Sequence, residues 1–209
     1  MVELDHLTVI APSLDEGLAY LTDRLGFEIG DAARHPAMGT QNRRLRLGSL
    51  TYLEVIAIDP EAPRPTHPRW FGLGAAETVR RDWEAGRRLR AWVARTEAIG
   101  EVLAAHGDLL GTARRLPGPL DFALLADGRL PADGALPSII DRLGKPPPSI
   151  AMTDRGARLA RFCLEHPEPA ALQALYERIG IRGAPEILAG PVVRLRATLE
   201  TPAGPVELT

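Results

Sequence analysis

Apolar and polar positions along this chain switch repeatedly between a period of two and a period of three to four, and the switches predict its elements. Residues 4 to 11 form a β-rich run. Ser13 then stands where a helix N-cap belongs, with Glu16 three residues on, and Leu14, Leu18, Leu21 and Leu25 recur on one helical face until Gly26 stops it. Residues 27 to 30, 42 to 47 and 51 to 58 read as strands, the last two joined by a tight turn at Gly48 and Ser49. The same order returns twice. Residues 89 to 95, a helix over 96 to 106 stopped by Gly107, and strands at 111 to 116, 121 to 126 and 136 to 142 make a second set. Residues 159 to 165, a helix over 168 to 179 ended by Gly180, and strands near 186 to 188, 192 to 200 and 205 to 208 make a third.

Proline marks the joints. Pro60, Pro63, Pro65 and Pro68 crowd one stretch and Pro146, Pro147 and Pro148 another, and neither stretch can lie inside a helix or a central strand. The expected fold class is α+β, with repeated βαβββ units at residues 1–59, 88–143 and 157–209 and proline-rich linkers at 60–87 and 144–156. The first linker is expected to carry a short helix; its Trp70 and that helix's Trp83 either pack plainly or cover a sheet or pocket. Residues 21 to 27 and 175 to 181 also match in character position by position, as the ends of equivalent helices would. A period this long suits a duplicated supersecondary unit better than a solenoid repeat of about 20–45 residues.

Composition adds exclusions. With 209 residues, 45% apolar and 25% charged, the chain is long enough for a sizeable core and too apolar for disorder. Its formal charge of -2 gives no whole-chain field to gather nucleic acid or an anionic membrane, so the expected partner is a small molecule or a protein. The N-terminus lacks the basic start and apolar core of a signal peptide, no run reaches the length of a spanning helix, and a cytoplasmic location is expected. Cys163 is the single cysteine, so no intramolecular disulfide forms; within an apolar strand it reads as buried and inert. Lys145 is the single lysine, set beside three prolines, which removes a Schiff-base mechanism. Walker loop, Rossmann fingerprint, serine elbow and cysteine zinc motif are all missing, and no nucleotide cofactor is expected.

Candidate chemistry sits where strands carry isolated polar groups. Alternation puts Leu4, His6, Thr8 and Ile10 on one face of the first strand and Tyr52, Glu54, Ile56 and Ile58 on one face of the fourth. Both strands are largely apolar on both faces, so the sheet is expected to be covered by the helix on one side and to enclose something on the other. His6 and Glu54 then need partners, either a metal, a hydrogen-bond network or a neighbouring arginine. Between strands two and three, His35, Gly39, Thr40 and Asn42 offer a flexible backbone position and neutral donors and acceptors, which suit a carbonyl or carboxylate or a plain polar connection.

The first-strand segment Leu4-Asp5-His6-Leu7-Thr8-Val9, with Tyr52-Leu53-Glu54-Val55-Ile56-Ala57 in the fourth strand, resembles the vicinal oxygen chelate superfamily of glyoxalase and extradiol dioxygenase type, and most closely its glyoxalase-like domain proteins. Residues 35 to 42, His-Pro-Ala-Met-Gly-Thr-Gln-Asn, resemble that family's His-Pro-Gly-x-Gly-Thr-x-Asn loop, and Ile139-Ile140-Asp141-Arg142 its later Leu-Ile-Glu-Trp strand. The resemblance implies a barrel-like cup made by two units around a divalent metal held by first and last strands. Glu54, Asp141 and Glu207 recur at matching places in the three units, but His6 is matched by Ala91 and Arg161. The set implied is therefore His6, Glu54 and Asp141 around Zn, Mn, Ni or Fe, with Glu207 the alternative if units one and three pair, Glu54 also a candidate catalytic group, and Trp92 and Arg161 added to the ligand contacts. Units one and two are expected to pack together, leaving the third to cover an open edge or to pair across a homodimer. Two functions follow: a metal-dependent lyase, isomerase or dioxygenase, or a metal-free binder using the same cup.

Overall fold

The structure is a computed structural model and describes residues 1 to 118 and 120 to 209. The first unit runs β1 (Val2–Ile10), α1 (Leu14–Leu25), β2 (Asp31–His35), β3 (Thr40–Arg46) and β4 (Tyr52–Ile58). A linker with a 3-10 turn at Trp70–Gly72 and α2 (Ala76–Glu84) leads to β5 (Leu89–Arg95), α3 (Ile99–Leu110), β6 (Thr112–Leu116), β7 (Leu120–Leu124) and β8 (Ser138–Asp141). The third segment contains β9 (Arg158–His166), α4 (Pro169–Ile179), β10 (Ile181–Arg182), β11 (Glu186–Ala189), β12 (Arg194–Thr201) and β13 (Gly204–Leu208).

Units one and two share one pairing scheme. In the first, the order is β2-β3-β4-β1 with β4 parallel to β1, Thr8 standing opposite Glu54; in the second it is β6-β7-β8-β5 with β8 parallel to β5. Antiparallel pairing of β1 with β5 joins the halves into one sheet, as the expected packing of consecutive units requires. Alternation then separates two cores. Leu7, Val9, Leu53 and Val55 face the side covered by α1, whereas Ile10, Ile56, Ala91, Val93, Phe122 and Ile140 gather with the linker's Trp70 and Phe71 on the other. Full burial of such side chains contributes about 1.5–3 kcal/mol each, so the strands that carry the site are among the most firmly held.

The helix ends show which sequence signals acted alone. The Ser13 hydroxyl accepts from Glu16 N and Gly26 adopts φ 74°, as capping chemistry requires. Gly107, by contrast, does not stop α3. Leu110 is wholly buried, and its burial carries the helix past a kink at His106 to Gly111. Residues 27 to 30 are not a strand either: Ile29 is buried in the core below the helix exit, which accounts for their apolar pattern, and β2 begins at Asp31.

The third segment has the expected order of strand, helix and strands but its own pairing. β11 lies parallel to β9, and β12 and β13 follow on the other side in a separate sheet ordered β11-β9-β12-β13. The two residues of β10 instead pair with Val2 and Glu3 of β1. Trp92 joins the segments: its ring meets Phe162 and Tyr176 edge-on at 5.7 and 5.8 Å, and its Nε1 donates to Gly134 O at 3.2 Å.

Candidate ligand-binding cavity

Between the two units lies a cavity of about 210 Å³ with two unlike walls. The first unit supplies His6 from β1, Asn42 and Arg44 from β3, and Tyr52 and Glu54 from β4, with His35 at the end of β2. The second supplies Leu116, Leu120, Phe122 and Ile140. Trp70 and Phe71, from the linker, close the space.

A β-bulge builds the polar wall. Leu4 pairs with Ala94 and His6 with Val93, so the ladder slips at Asp5. Neighbours in a regular strand point to opposite faces; across the slip, Asp5 and His6 instead touch, His6 Nδ1 lying 2.6 Å from Asp5 Oδ1. The same slip sends Leu4 into the core on the helix side rather than the face shared by His6, Thr8 and Ile10. Asp5, wholly buried, also receives Arg142 Nη2 at 2.6 Å and Nε at 3.1 Å, and Arg142 reaches the Tyr52 hydroxyl at 3.1 Å. Beyond His6, Nε2 stands 3.4 Å from Glu54 Oε1, which also accepts from Thr8 Oγ1 at 3.2 Å, while Glu54 Oε2 accepts from Asn42 Nδ2 at 2.7 Å.

This chain sets the charges. Burial alone would lower the proton affinity of His6, but Glu54 and Asp5 outweigh it and raise it above the ordinary 6.5. Burial would raise Glu54, yet His6, His35 and Asn42 hold it below the usual carboxylate range. Asp5 is likewise pushed up by burial and held well down by His6 and Arg142. His35 goes the other way from His6: burial first, then Arg44 and His6, lower it against the pull of Glu54. His35 Nε2 lies 3.3 Å from Asn42 Nδ2. Asn42 Oδ1 is buried without a partner.

The structure brings together His6, Glu54, His35 and Asn42, and disperses the rest of the expected set. Asp141 lies on the other face of β8, where Oδ1 accepts from Leu143 N at 2.8 Å and Oδ2 from Ile99 N at 3.4 Å, capping α3; its neighbours Ile140 and Arg142 line the cavity instead. The inward positions at the end of β8 are thus one residue to either side of the carboxylate. Glu207 pairs with Arg196 at 3.1 Å and Arg161 with Glu186 at 2.7 Å, both on the sheet of the third segment. Trp92 serves the junction with that segment and does not line the cavity. Gly39 and Thr40 work one layer back: Gly39, at φ 60°, is packed against Pro63, Pro65 and Arg69, and the Thr40 hydroxyl accepts from Trp70 Nε1 at 3.1 Å. They seat the proline-rich strap and so aim Trp70 over the cavity. Trp83 packs plainly, edge-on to Tyr20 at 5.6 Å. Cys163 is buried, with its thiol pushed up first by burial, as an inert cysteine would be.

Asp5, Arg44, Phe71, Phe122 and Arg142 are the cavity and network residues that sequence reasoning passed over. Asp5 and Arg142 each adjoin a residue that was singled out, and their charge in an apolar strand was the available signal.

The cavity does not fit a resident metal. His35 Nε2 lies against Asn42 Nδ2, which leaves His6 Nε2 and Glu54 Oε1, one nitrogen and one oxygen donor and fewer than the three protein ligands typical of a catalytic site, and the facing wall is hydrocarbon. Among the described residues no group of three histidine, cysteine, aspartate or glutamate side chains is placed to hold an ion.

With this geometry the chain belongs to the glyoxalase-like domain family, which matches residues 4–180, and so to the vicinal oxygen chelate superfamily. Among solved structures, a hypothetical protein from Staphylococcus aureus is similar over 93% of this chain and 88% of its own, at 12% identity and a TM-score of 0.57, a likeness of fold. Methylmalonyl-CoA epimerase from Mycobacterium tuberculosis is similar over 66% of this chain and 86% of its own, at 16% identity, with a TM-score of 0.41. The Streptomyces coelicolor methylmalonyl-CoA epimerase, in a complex with 2-nitronate-propionyl-CoA, covers 68% of this chain and 96% of its own at 13% identity and the same 0.41. Likeness that distant decides nothing about chemistry. No curated protein matches the chain. Among the described residues no helix is long and apolar enough to cross a membrane.

Proposed function

We propose that the protein binds a small organic molecule in the cavity between units one and two, without a metal ion. The observation that carries this reading is the pairing of a hydrogen-bonding wall, built on His6, Asn42 and Glu54, with an apolar wall of Phe122, Ile140, Trp70 and Phe71 around about 210 Å³. Small-molecule sites are mostly apolar, with a few polar groups that fix orientation. Here the polar groups are held by the Arg142, Asp5 and His6 chain before any ligand arrives, so little ordering cost remains at binding.

Each of His6 and Glu54 favours the charged form of the other, His6 raised above its ordinary value and Glu54 held below its own. Asn42 is fixed between Glu54 and His35. The apolar wall removes water from the ligand's hydrocarbon part and strengthens each polar contact opposite.

Thermal denaturation with a panel of small organic molecules of one ring or less, each with and without chelator, tests the reading. Binding to the folded state raises the midpoint in proportion to RT ln(1 + [L]/Kd). The expected result is that some members stabilise the protein equally with EDTA present. Stabilisation that appears only on adding Zn²⁺, Mn²⁺, Ni²⁺ or Fe²⁺, or no stabilisation by any member, overturns it.

A further inference from the structure

The charges around the cavity cancel in pairs, with one exception. His6 answers Glu54, Asp5 answers Arg142, and at the mouth Arg34 reaches Glu61 at 2.8 Å and Asp59 at 3.6 Å. Arg44 lines the same cavity, half-buried, and among the described residues no carboxylate comes within ion-pair distance of it. It stands directly across from Glu54 in the β3–β4 register, yet the two do not pair, because Glu54 is already held by His6, Thr8 and Asn42. The Arg44 Nε is buried without a hydrogen-bond partner. A guanidinium in this setting is an uncompensated charge with open donors, and its natural complement is a planar oxyanion.

The other side of the cavity has its own specificity. Trp70, Phe71 and Phe122 form a closed triangle of rings, with centroids 5.6, 5.2 and 5.7 Å apart. Such rings favour an aromatic guest in offset or edge-on contact over an aliphatic one of equal size. A cavity of about 150 Å³ holds benzene, so about 210 Å³ leaves room for one ring and a short substituent.

Resting on the proposal that this cavity is a binding site, we infer that its ligand class is the small aromatic monoanion: one ring set against Trp70, Phe71 and Phe122, its carboxylate on the Arg44 guanidinium. Arg44 is then the residue that determines charge specificity, and the aromatic triangle the feature that determines shape.

Calorimetric titration of the full chain with benzoate, benzamide and cyclohexanecarboxylate separates the two requirements. Benzamide keeps the ring and loses the charge; cyclohexanecarboxylate keeps the charge and loses the flat ring. Benzoate is expected to bind at least about tenfold tighter than benzamide, as loss of a charged hydrogen bond implies, and tighter than cyclohexanecarboxylate. Arg44→Gln, with its thermal midpoint checked against the parent, is expected to abolish the preference for benzoate over benzamide, bringing the two within about twofold of each other. Benzamide or cyclohexanecarboxylate binding as tightly as benzoate overturns the inference, as does Arg44→Gln leaving benzoate unchanged. Silence from all three probes while other molecules of the thermal panel bind overturns the inference alone and leaves the cavity a binding site. Silence from every molecule overturns both.

Discussion

The two walls of the cavity come from units with the same strand pairing and opposite character. In unit one, β1 and β4 present His6, Thr8 and Glu54 inward, linked by hydrogen bonds and charge. In unit two, β5 and β8 present Ala91, Val93 and Ile140, and the only charged residue of that unit lining the cavity among the described residues is Arg142, which turns to Asp5 of the first unit. Topology therefore supplies equivalent inward positions twice, and side-chain chemistry uses them once. The asymmetry makes unit one a recognition surface and unit two a hydrophobic lid, and it predicts that the walls respond differently to perturbation.

The largest response is expected at Asp5. Asp5→Ala leaves the half-buried Arg142 with its hydroxyl partner alone and the buried His6 with Glu54 alone, and uncompensated buried charge costs about 3–5 kcal/mol. Urea unfolding measures it; a loss under about 1 kcal/mol would mean that the walls are not coupled through this residue. Glu54→Gln removes one of the two charges on His6 and is expected to cost about 1.5–3 kcal/mol, in a pH-dependent way. His6 is raised above 6.5, so its share of stability is whole below about 6.5 and fades as pH rises through its folded-state value. Glu54 is depressed below 4.5, so its share is present above about 4.5 and is lost as pH falls through its folded-state value. The gap between parent and variant is thus widest between about pH 5 and 6.5; a gap that is flat across pH 4 to 9 would remove charge from the account of this wall. On the apolar side, Ile140→Val is expected to cost about 0.5–1.5 kcal/mol through lost volume alone. Its effect should not vary with pH, and a pH-dependent loss there would erase the contrast between the walls.

Much of this arrangement was legible in the chain. The strands at His6 and Glu54, the N-cap at Ser13 and the glycine stops at Gly26 and Gly180 follow from local chemistry and periodicity, and the packing of units one and two follows from the general preference of consecutive units for one another. Asp141 was misplaced because alternation is unforgiving: a shift of one residue moves a side chain to the opposite face, and only the ladder with β5 fixes which residue faces inward. Arg161 and Glu207 looked equivalent to site residues by order of elements, yet β9 pairs with β11 and β12 rather than with a last strand, so equal order did not give equal place. Gly39 and Thr40 were drawn toward a ligand by their chemistry, and the strap between the units claimed them first.

By itself the sequence determined where most strands and helices form and that a histidine and a glutamate sit on apolar strands where each needs a partner, because these depend on short-range periodicity, capping and the cost of burying charge; that the two would meet was only what the family resemblance implied. Tertiary structure alone decided that a bulge turns Asp5 toward His6, that Arg142 from the other unit completes the chain, and that Arg44 is left without a partner. Those outcomes depend on contacts between residues far apart in the chain, whose geometry is set only when the two units close on one another.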